Sequence, residues 1–281
     1  MRETSGASMC GRFFGIFEQL SQLKICDGPQ GDLYGPELAM FYERFVGTFV
    51  GDLPIFQRLL PQPDSRVLDL ACGTARIALG LARAGAHVHG IELSSEMISL
   101  GESKLAQEAE AVRARVRLYH GDITKFDTGE RYALITLGVT SISLLLTKAA
   151  RRMLFDCVRN HLAEGGLFAF DILDLDEDRW LSHDNFMDVW SREDDDGLDV
   201  SIVGQKFYPD DGVFIFNVYR EIISWTGETR RMLGHSTKAW LRRDPLVEEL
   251  SEAGLVIQEE FREQESRYFV CRLAQEADHD A

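Results

Sequence analysis

The sequence predicts an α/β protein organised around a doubly wound sheet, and three observations predict it. Val67-Leu68-Asp69-Leu70 is a short apolar run that enters a small-residue turn, Ala71-Cys72-Gly73-Thr74-Ala75. Ile77 to Ala84 then reads as a helix ended by Gly85. The next apolar run, Ala86 to Ile91, closes with Glu92 and begins the pattern again. Strand, turn and helix in this order build parallel strands with helices on both faces.

Composition sets outer bounds. The 281 residues suit one large domain or a domain with a sizeable insertion, and the 45% apolar fraction suffices for a full core. A net charge of −16 argues against a protein that tracks nucleic-acid phosphates or docks on anionic lipid. Five scattered cysteines lack metal-ligand spacing, which points to a reducing cytoplasm and no structural metal. No run reaches transmembrane length, and Arg12, Glu18 and Gln19 interrupt any secretory pattern near the start.

In chain order, Met1 to Met9 reads as loose. Phe13, Ile16, Phe17, Leu20 and Leu23 then recur at helical spacing over residues 11–25. A Gly/Pro/Asp-rich loop from Cys26 to Gly35 carries Tyr34. Pro36 to Val50 and Asp52 to Leu60 read as two further helices, the first with Pro36 at its start. Residues 1–63 are thus expected to form a helical cap, which either covers the core or closes as a lid near Tyr34 and Tyr42. The sheet follows over 64–173. Ser94 to Glu110 is a helix capped by Ser94 or Ser95, Val116 to His120 a strand, and Tyr132 to Gly138 the next strand. Lys148 to Leu162 is a helix, and Ala163 to Asp171 a turn into the fifth strand.

From Asp174 the pattern changes. Acidic clusters at Asp174 to Asp178 and Glu193 to Asp196 read as solvated loops, without calcium-loop spacing. Phe186 to Ser191, Val200 to Tyr208, Val213 to Trp225 and Met232 to Leu241 alternate as strands, and Pro209-Asp210-Asp211-Gly212 is a hairpin turn. Residues 174–243 are therefore expected to be an antiparallel β insertion. Residues 244–275 return to the core as a helix from Asp244-Pro245 to Ala253 and a pair of strands, Leu255 to Phe261 and Ser266 to Arg272. Residues 276–281 are expected to be a disordered tail.

The turn carries the functional signal. A dinucleotide-binding turn needs G-x-G-x-x-G and leaves a pyrophosphate on the helix start. Here two of the three glycine positions are Ala71 and Ala75, and Asp69 precedes them, which would repel a pyrophosphate and suit an ammonium. With Val67-Leu68-Asp69-Leu70-Ala71-Cys72-Gly73-Thr74 the chain resembles the class I S-adenosylmethionine-dependent methyltransferases, with a Rossmann-like seven-stranded sheet. Ala75 departs from the family's usual glycine and should be tolerated if its φ stays negative.

The resemblance implies site residues. Asp69, Ala71 and Gly73 would hold the amino-acid end of S-adenosyl-L-methionine, with Tyr42 close by. Glu92 would take the ribose, with Leu93 and Met97 beside it. Asp122 would accept from the adenine amine and Ile123 pack on the ring, unless Asp122 caps its own turn. Leu137 and Gly138 would lie by the sulfonium. Thr140, Ser141, Trp225 and Trp240 would wall the acceptor pocket, the tryptophans serving equally well as core. Methyl transfer to an amine needs an unprotonated nucleophile. His235 and Tyr34 are the candidate bases, with Tyr219 and Asp171 further titratable groups near the expected mouth.

The order of helical cap, core and β insertion resembles small-molecule N-methyltransferases, including those that dimethylate amino sugars. Gly138 to Leu145 and Ser236 to Arg242 look like the methyltransferases of daptide-type peptide pathways. These resemblances imply N-methylation, including dimethylation, of a small-molecule or peptide-terminal amine in natural-product biosynthesis. An O-methyltransferase and a non-catalytic cofactor-binding module remain as alternatives.

Overall fold

The computed structural model describes residues 13–23, 25–27, 30–35, 38–46, 51–174, 186–195 and 197–274. The expected loose start, the Pro36 helix start, the acids Asp176 to Asp178 and the tail lie outside the described residues. Contacts divide the chain into two compact units, residues 1–38 with 176–240 and residues 39–175 with 241–281.

The elements run α1 (Gly15–Gln22), β1 (Gly31–Asp32), α2 (Ala39–Val46), α3 (Leu53–Arg58), β2 (Arg66–Leu70), α4 (Arg76–Arg83) and β3 (His87–Glu92). Next come α5 (Ser95–Ala106), α6 (Glu110–Arg113), β4 (Val116–His120), β5 (Tyr132–Leu137), α7 (Lys148–His161) and β6 (Leu162–Leu173). The chain continues through β7 (Phe186–Asp194), β8 (Gly197–Tyr208), β9 (Val213–Ser224) and β10 (Thr229–Ala239). It closes with α8 (Arg243–Glu252), β11 (Leu255–Glu263) and β12 (Ser266–Leu273).

The larger unit is the expected seven-stranded sheet, in the order β11-β12-β6-β5-β2-β3-β4. β2 pairs in parallel with β3 on one side and β5 on the other, so the strand order reverses beside β2. β12 is antiparallel to both β6 and β11. Strand alternation splits the core. Leu68, Leu70, Ile135, Phe168 and Phe170 pack with α7 and α8 residues, while Val67, Val88 and Leu134 pack with Ile77, Ala78 and Leu81 of α4. Phe170 stacks on Phe168 at 4.9 Å and on Phe269 at 5.2 Å. Arg151 of α7 and Glu249 of α8, both buried, clamp the two helices through bonds of 2.6 and 2.7 Å.

Two expected boundaries move. The helix read over Ser94 to Glu110 is two helices. The Gln107 and Glu108 amides turn back to the carbonyls three residues earlier, and Ala109 is extended, which ends α5. Ser94 is its cap, accepting from the Met97 amide at 3.2 Å. The turn read at Ala163 to Gly166 is already part of β6. A Cβ on Gly166 would meet the Tyr132 carbonyl oxygen at 2.8 Å, and Gly165 has φ +69°. The glycine pair thus lets the strand begin early against β5.

The smaller unit is a five-stranded sheet, β1-β10-β9-β8-β7, antiparallel except for the two-residue β1 beside β10. That extra strand comes from the segment read as loop. Phe14 and Phe17 at the start of α1 pack on Ile215, Tyr219 and Leu233. Gly204 admits the Phe17 ring, which a Cβ there would meet at 2.5 Å. The hairpin at Pro209 to Gly212 forms, with Gly212 left-handed. No helix among the described residues is long and apolar enough to cross a membrane.

Candidate functional site

The carboxyl ends of β2, β3, β4 and β5 bring the candidate residues of the larger unit together. The turn after β2 is left-handed at alternate residues: Ala71 (φ +49°), Gly73 (+56°) and Ala75 (+64°). The condition set for tolerating Ala75, a negative φ, is not met. An L-residue there costs about 1–2 kcal/mol. The Ala75 methyl is fully buried, in the space left by Gly101, and its amide donates to the Cys72 carbonyl at 2.9 Å. Packing and that bond hold the strained turn.

Glu92 ties this turn to the next loop. Its Oε2 accepts the Gly73 amide at 3.0 Å and its Oε1 the Ser94 amide at 2.8 Å. Each carboxylate oxygen retains a second acceptor position for a ligand hydroxyl. Met97 is buried behind Ser94, whereas Leu93 is exposed.

Asp69 lies at the end of β2, wholly buried. Oδ1 accepts the Thr136 hydroxyl at 2.8 Å, and Oδ2 makes no hydrogen bond. Burial pushes its carboxyl up to about 7, against the pull of Thr136 and Arg76. An orphaned buried oxygen is costly and marks a site that a cationic ligand group would suit.

Arg76 opens α4 and was not singled out from the sequence. Its guanidinium donates to both oxygens of Asp52, at 2.5 and 2.6 Å. Burial opposes the guanidinium charge, but the Asp52 bonds overcome it and raise its pKa. Thr74 donates to Glu43, which also accepts from Lys104 at 2.8 Å. The arginine directly after the small-residue turn was a readable signal. Asp52 and Glu43 were not, because their partners lie 24 and 31 residues away.

At the end of β5, a Cβ on Gly138 would meet Ile77 at 2.6 Å and Phe56 at 3.2 Å. Val139 and Thr140 are both left-handed, φ +56°. The Thr140 amide donates to both Asp171 oxygens at 3.1 Å, and the Ser141 hydroxyl to the Gly138 carbonyl at 2.7 Å. Asp171, read as a titratable candidate, is a buried strut for this loop and also accepts from Ser266. Leu137 is core. Asp122 does cap its own turn: Oδ1 accepts the Thr124 amide and hydroxyl at 2.9 and 2.7 Å, and Lys125 stands 3.4 Å from Oδ2. Burial raises its carboxyl pKa, but these partners bring it below the usual range. Ile123 packs on the core beside it.

Tyr42, Ala71, Gly73, Gly138 and Ser141 share one cavity with Arg76 and Ile77. Its volume is about 30 Å³, room for a water or two. A nucleoside-sized ligand needs several hundred Å³. Such a ligand needs a wider groove than this one.

Tyr34, His235, Trp225 and Trp240 belong to the smaller unit. The Tyr34 amide donates to Asp32 at 2.9 Å. The His235 ring stands edge-on to Phe13 at 5.4 Å, and its carbonyl accepts the Leu33 amide at 2.9 Å. Trp225 is 61% exposed. Trp240 meets Phe207 edge-on at 5.3 Å. The Tyr219 hydroxyl is taken by Glu221 at 3.2 Å, and burial raises its pKa.

Residues 67–166 match the family described as "Methyltransferase domain". The chain is 30% identical over 129 residues to the dTDP-3-amino-3,6-dideoxy-alpha-D-glucopyranose N,N-dimethyltransferase of Streptomyces fradiae, covering 43% of this chain and 47% of that one. The chain spans about half the length of the curated relatives it matches. Among solved structures, a sugar N-methyltransferase from Streptoalloteichus sp superposes with TM-score 0.71 at 20% identity, over 88% of this chain and 97% of that one. An amino pentose methyltransferase of Micromonospora echinaspora, solved with S-adenosylmethionine, gives 0.63 at 19% identity, over 92% and 97%. At these identities the two structures establish a shared fold.

Proposed function

We propose that this chain is a class I S-adenosylmethionine-dependent methyltransferase that transfers a methyl group from that donor to an amine on a small molecule or modified peptide terminus. The observation that carries the donor assignment is the carboxylate-tipped β3 bonded to a small-residue turn, with Arg76 and Asp69 on either side of it in sequence. A diphosphate would face two carboxylates there. A zwitterionic nucleoside finds a partner for each of its groups.

In this reading Asp69, Ala71 and Gly73 receive the donor's ammonium end and Arg76 its carboxylate, with Tyr42 over them. Glu92 accepts from the ribose hydroxyls, while Leu93 and Met97 flank the sugar. Ile123 packs on the adenine, and Asp122 offers the adenine amine its free lone pairs. Leu137 and Gly138 lie along the sulfonium. Bound S-adenosylmethionine would supply an electrophilic methyl to the amine lone pair, with the sulfur leaving as a neutral thioether and the amine proton passing to a base or solvent. The chain aligns the two groups and excludes water. Thr140 and Ser141 shape the acceptor side of this site, and His235 and Tyr34, with Trp225 and Trp240, are the candidates that the smaller unit offers for proton uptake and acceptor binding.

The amine rests on the amino-sugar dimethyltransferase of Streptomyces fradiae and the likeness in fold to the sugar N-methyltransferase. The reading is tested by incubating the protein with labelled donor and pooled amines, alcohols and peptides. Labelled amine product is expected. Label only on hydroxyls would replace the amine with an O-acceptor, and tight donor binding with no transfer to any pool would leave a binding module.

A further inference from the structure

A second cavity, of about 320 Å³, lies at the opposite ends of the strands. Arg66, His87 and Tyr132 are the first residues of β2, β3 and β5, and all three line it. Register explains the clustering. Arg66 pairs with His87 across β2 and β3, and His89 pairs with Arg117 across β3 and β4. Residues two apart on β3 share a face, which puts His87 and His89 together. The chain passes from β4 to β5 without a helix, so no crossover helix covers this face.

The cavity is cationic in a chain that is strongly anionic. Arg66, Arg115 and Arg117 surround it with two imidazoles. Its two nearby acids are engaged: Asp64 with Arg115 at 2.5 Å and Glu130 with Arg66 at 3.1 Å. The Arg117 side chain makes no hydrogen bond or ion pair among the described residues. The His89 ring is fixed through Nδ1, 2.9 Å from the Tyr132 hydroxyl, which leaves Nε2 as its remaining polar atom. Arginines and a histidine on three adjacent strands offer converging donors of the kind a tetrahedral oxyanion takes.

We propose that this cavity is a second binding site, for a small phosphate monoester, with Arg117 and His89 as its main anion donors and Arg66 and Arg115 flanking. The space exceeds what a phosphoryl group fills, which leaves room for an organic portion. The site is independent of the donor assignment above.

Protonation of His89 provides a second readout. Burial holds its pKa below the ordinary histidine value, and Arg117, Arg66 and His87 add to that while Glu130 opposes it. Tyr119 and Tyr132 pack edge-on against the ring from β4 and β5. A bound dianion offsets the arginine charges and raises the pKa, so anion affinity should rise as pH falls. Sulfate, which stays dianionic between about pH 5 and 8, separates this effect from titration of the phosphate itself.

The test is calorimetry of the full chain with phenyl phosphate, inorganic phosphate, sulfate and acetate. Phenyl phosphate should bind more tightly than inorganic phosphate, and Arg117→Gln and His89→Gln should each weaken it about tenfold. Sulfate should bind more tightly at low pH in the wild type but not in His89→Gln. Unchanged thermal unfolding in Arg117→Gln, an exposed position, would show that the loss is local. Glu92→Ala, at the other end of the sheet, should keep wild-type affinity for phenyl phosphate. No binding by the wild type, affinity unchanged from wild type in both variants, equal uptake of acetate, or loss in Glu92→Ala would overturn the proposal.

Discussion

Asp69→Asn tests the buried carboxyl beneath the turn. Asp69 has one oxygen on Thr136 and one without a hydrogen bond, and burial raises its carboxyl to about 7 in the folded chain. In the unfolded chain it titrates near the ordinary value of 3.8. A carboxyl with a raised folded-state pKa binds its proton more tightly when folded. Its contribution is therefore full below the unfolded pKa and is lost as pH rises through the folded one. Between pH 5.5 and 8 the loss integrates to about 2 kcal/mol. This range also stays above the sequence pI of about 4.9. Asparagine keeps an acceptor for Thr136 but has no proton to lose. The assay is urea unfolding of wild type and Asp69→Asn across this range. The wild type should lose about 2 kcal/mol relative to the variant as pH rises. A constant difference across the range would refute the assignment of a neutral, buried Asp69 to the native state at pH 5.5.

Other predictions follow from the same geometry. Asp52→Asn strips the charge that holds Arg76 and should destabilise by about 3 kcal/mol, read in urea melts. Arg151→Met should cost about 3–5 kcal/mol because it strands buried Glu249, whereas Arg151→Met with Glu249→Leu should come close to neutral; equal losses would contradict this. Gly138→Ala forces its methyl to within 2.6 Å of Ile77 and should destabilise by about 1–3 kcal/mol. Glu92→Ala should weaken S-adenosylhomocysteine binding by about 1–3 kcal/mol, measured by calorimetry.

Much of the fold was legible because it rests on short-range patterns. The Val67 to Ala84 unit announces itself by an apolar run, a small-residue turn and a helical repeat, and each of the seven strands of the main sheet contains a segment read as a strand, with β6 beginning earlier than expected. What escaped was set by partners distant in sequence. The two-residue β1 exists only because β10 lies beside it, and nothing in Gly31-Asp32 signals a strand. Ala75 is left-handed where a negative φ would have been easier for alanine, and it packs beside Gly101. In the site, Glu92 and Gly73 were readable as a strand tip and a turn. The Asp52–Arg76 clamp was not, because an acid before a short helix reads as an ordinary cap. Asp171 looked like a free acid after an apolar strand, but the left-handed Thr140 needed an acceptor for its amide.

The central claim is that the turn from Asp69 to Ala75, with Glu92, grips a nucleoside bearing an amino-acid tail. Calorimetry of wild type with S-adenosylhomocysteine and, separately, with a nicotinamide dinucleotide tests it most directly. Saturable uptake of the first, weakened in Glu92→Ala, with none of the second, is the predicted result. Tight uptake of the dinucleotide and none of S-adenosylhomocysteine would contradict it.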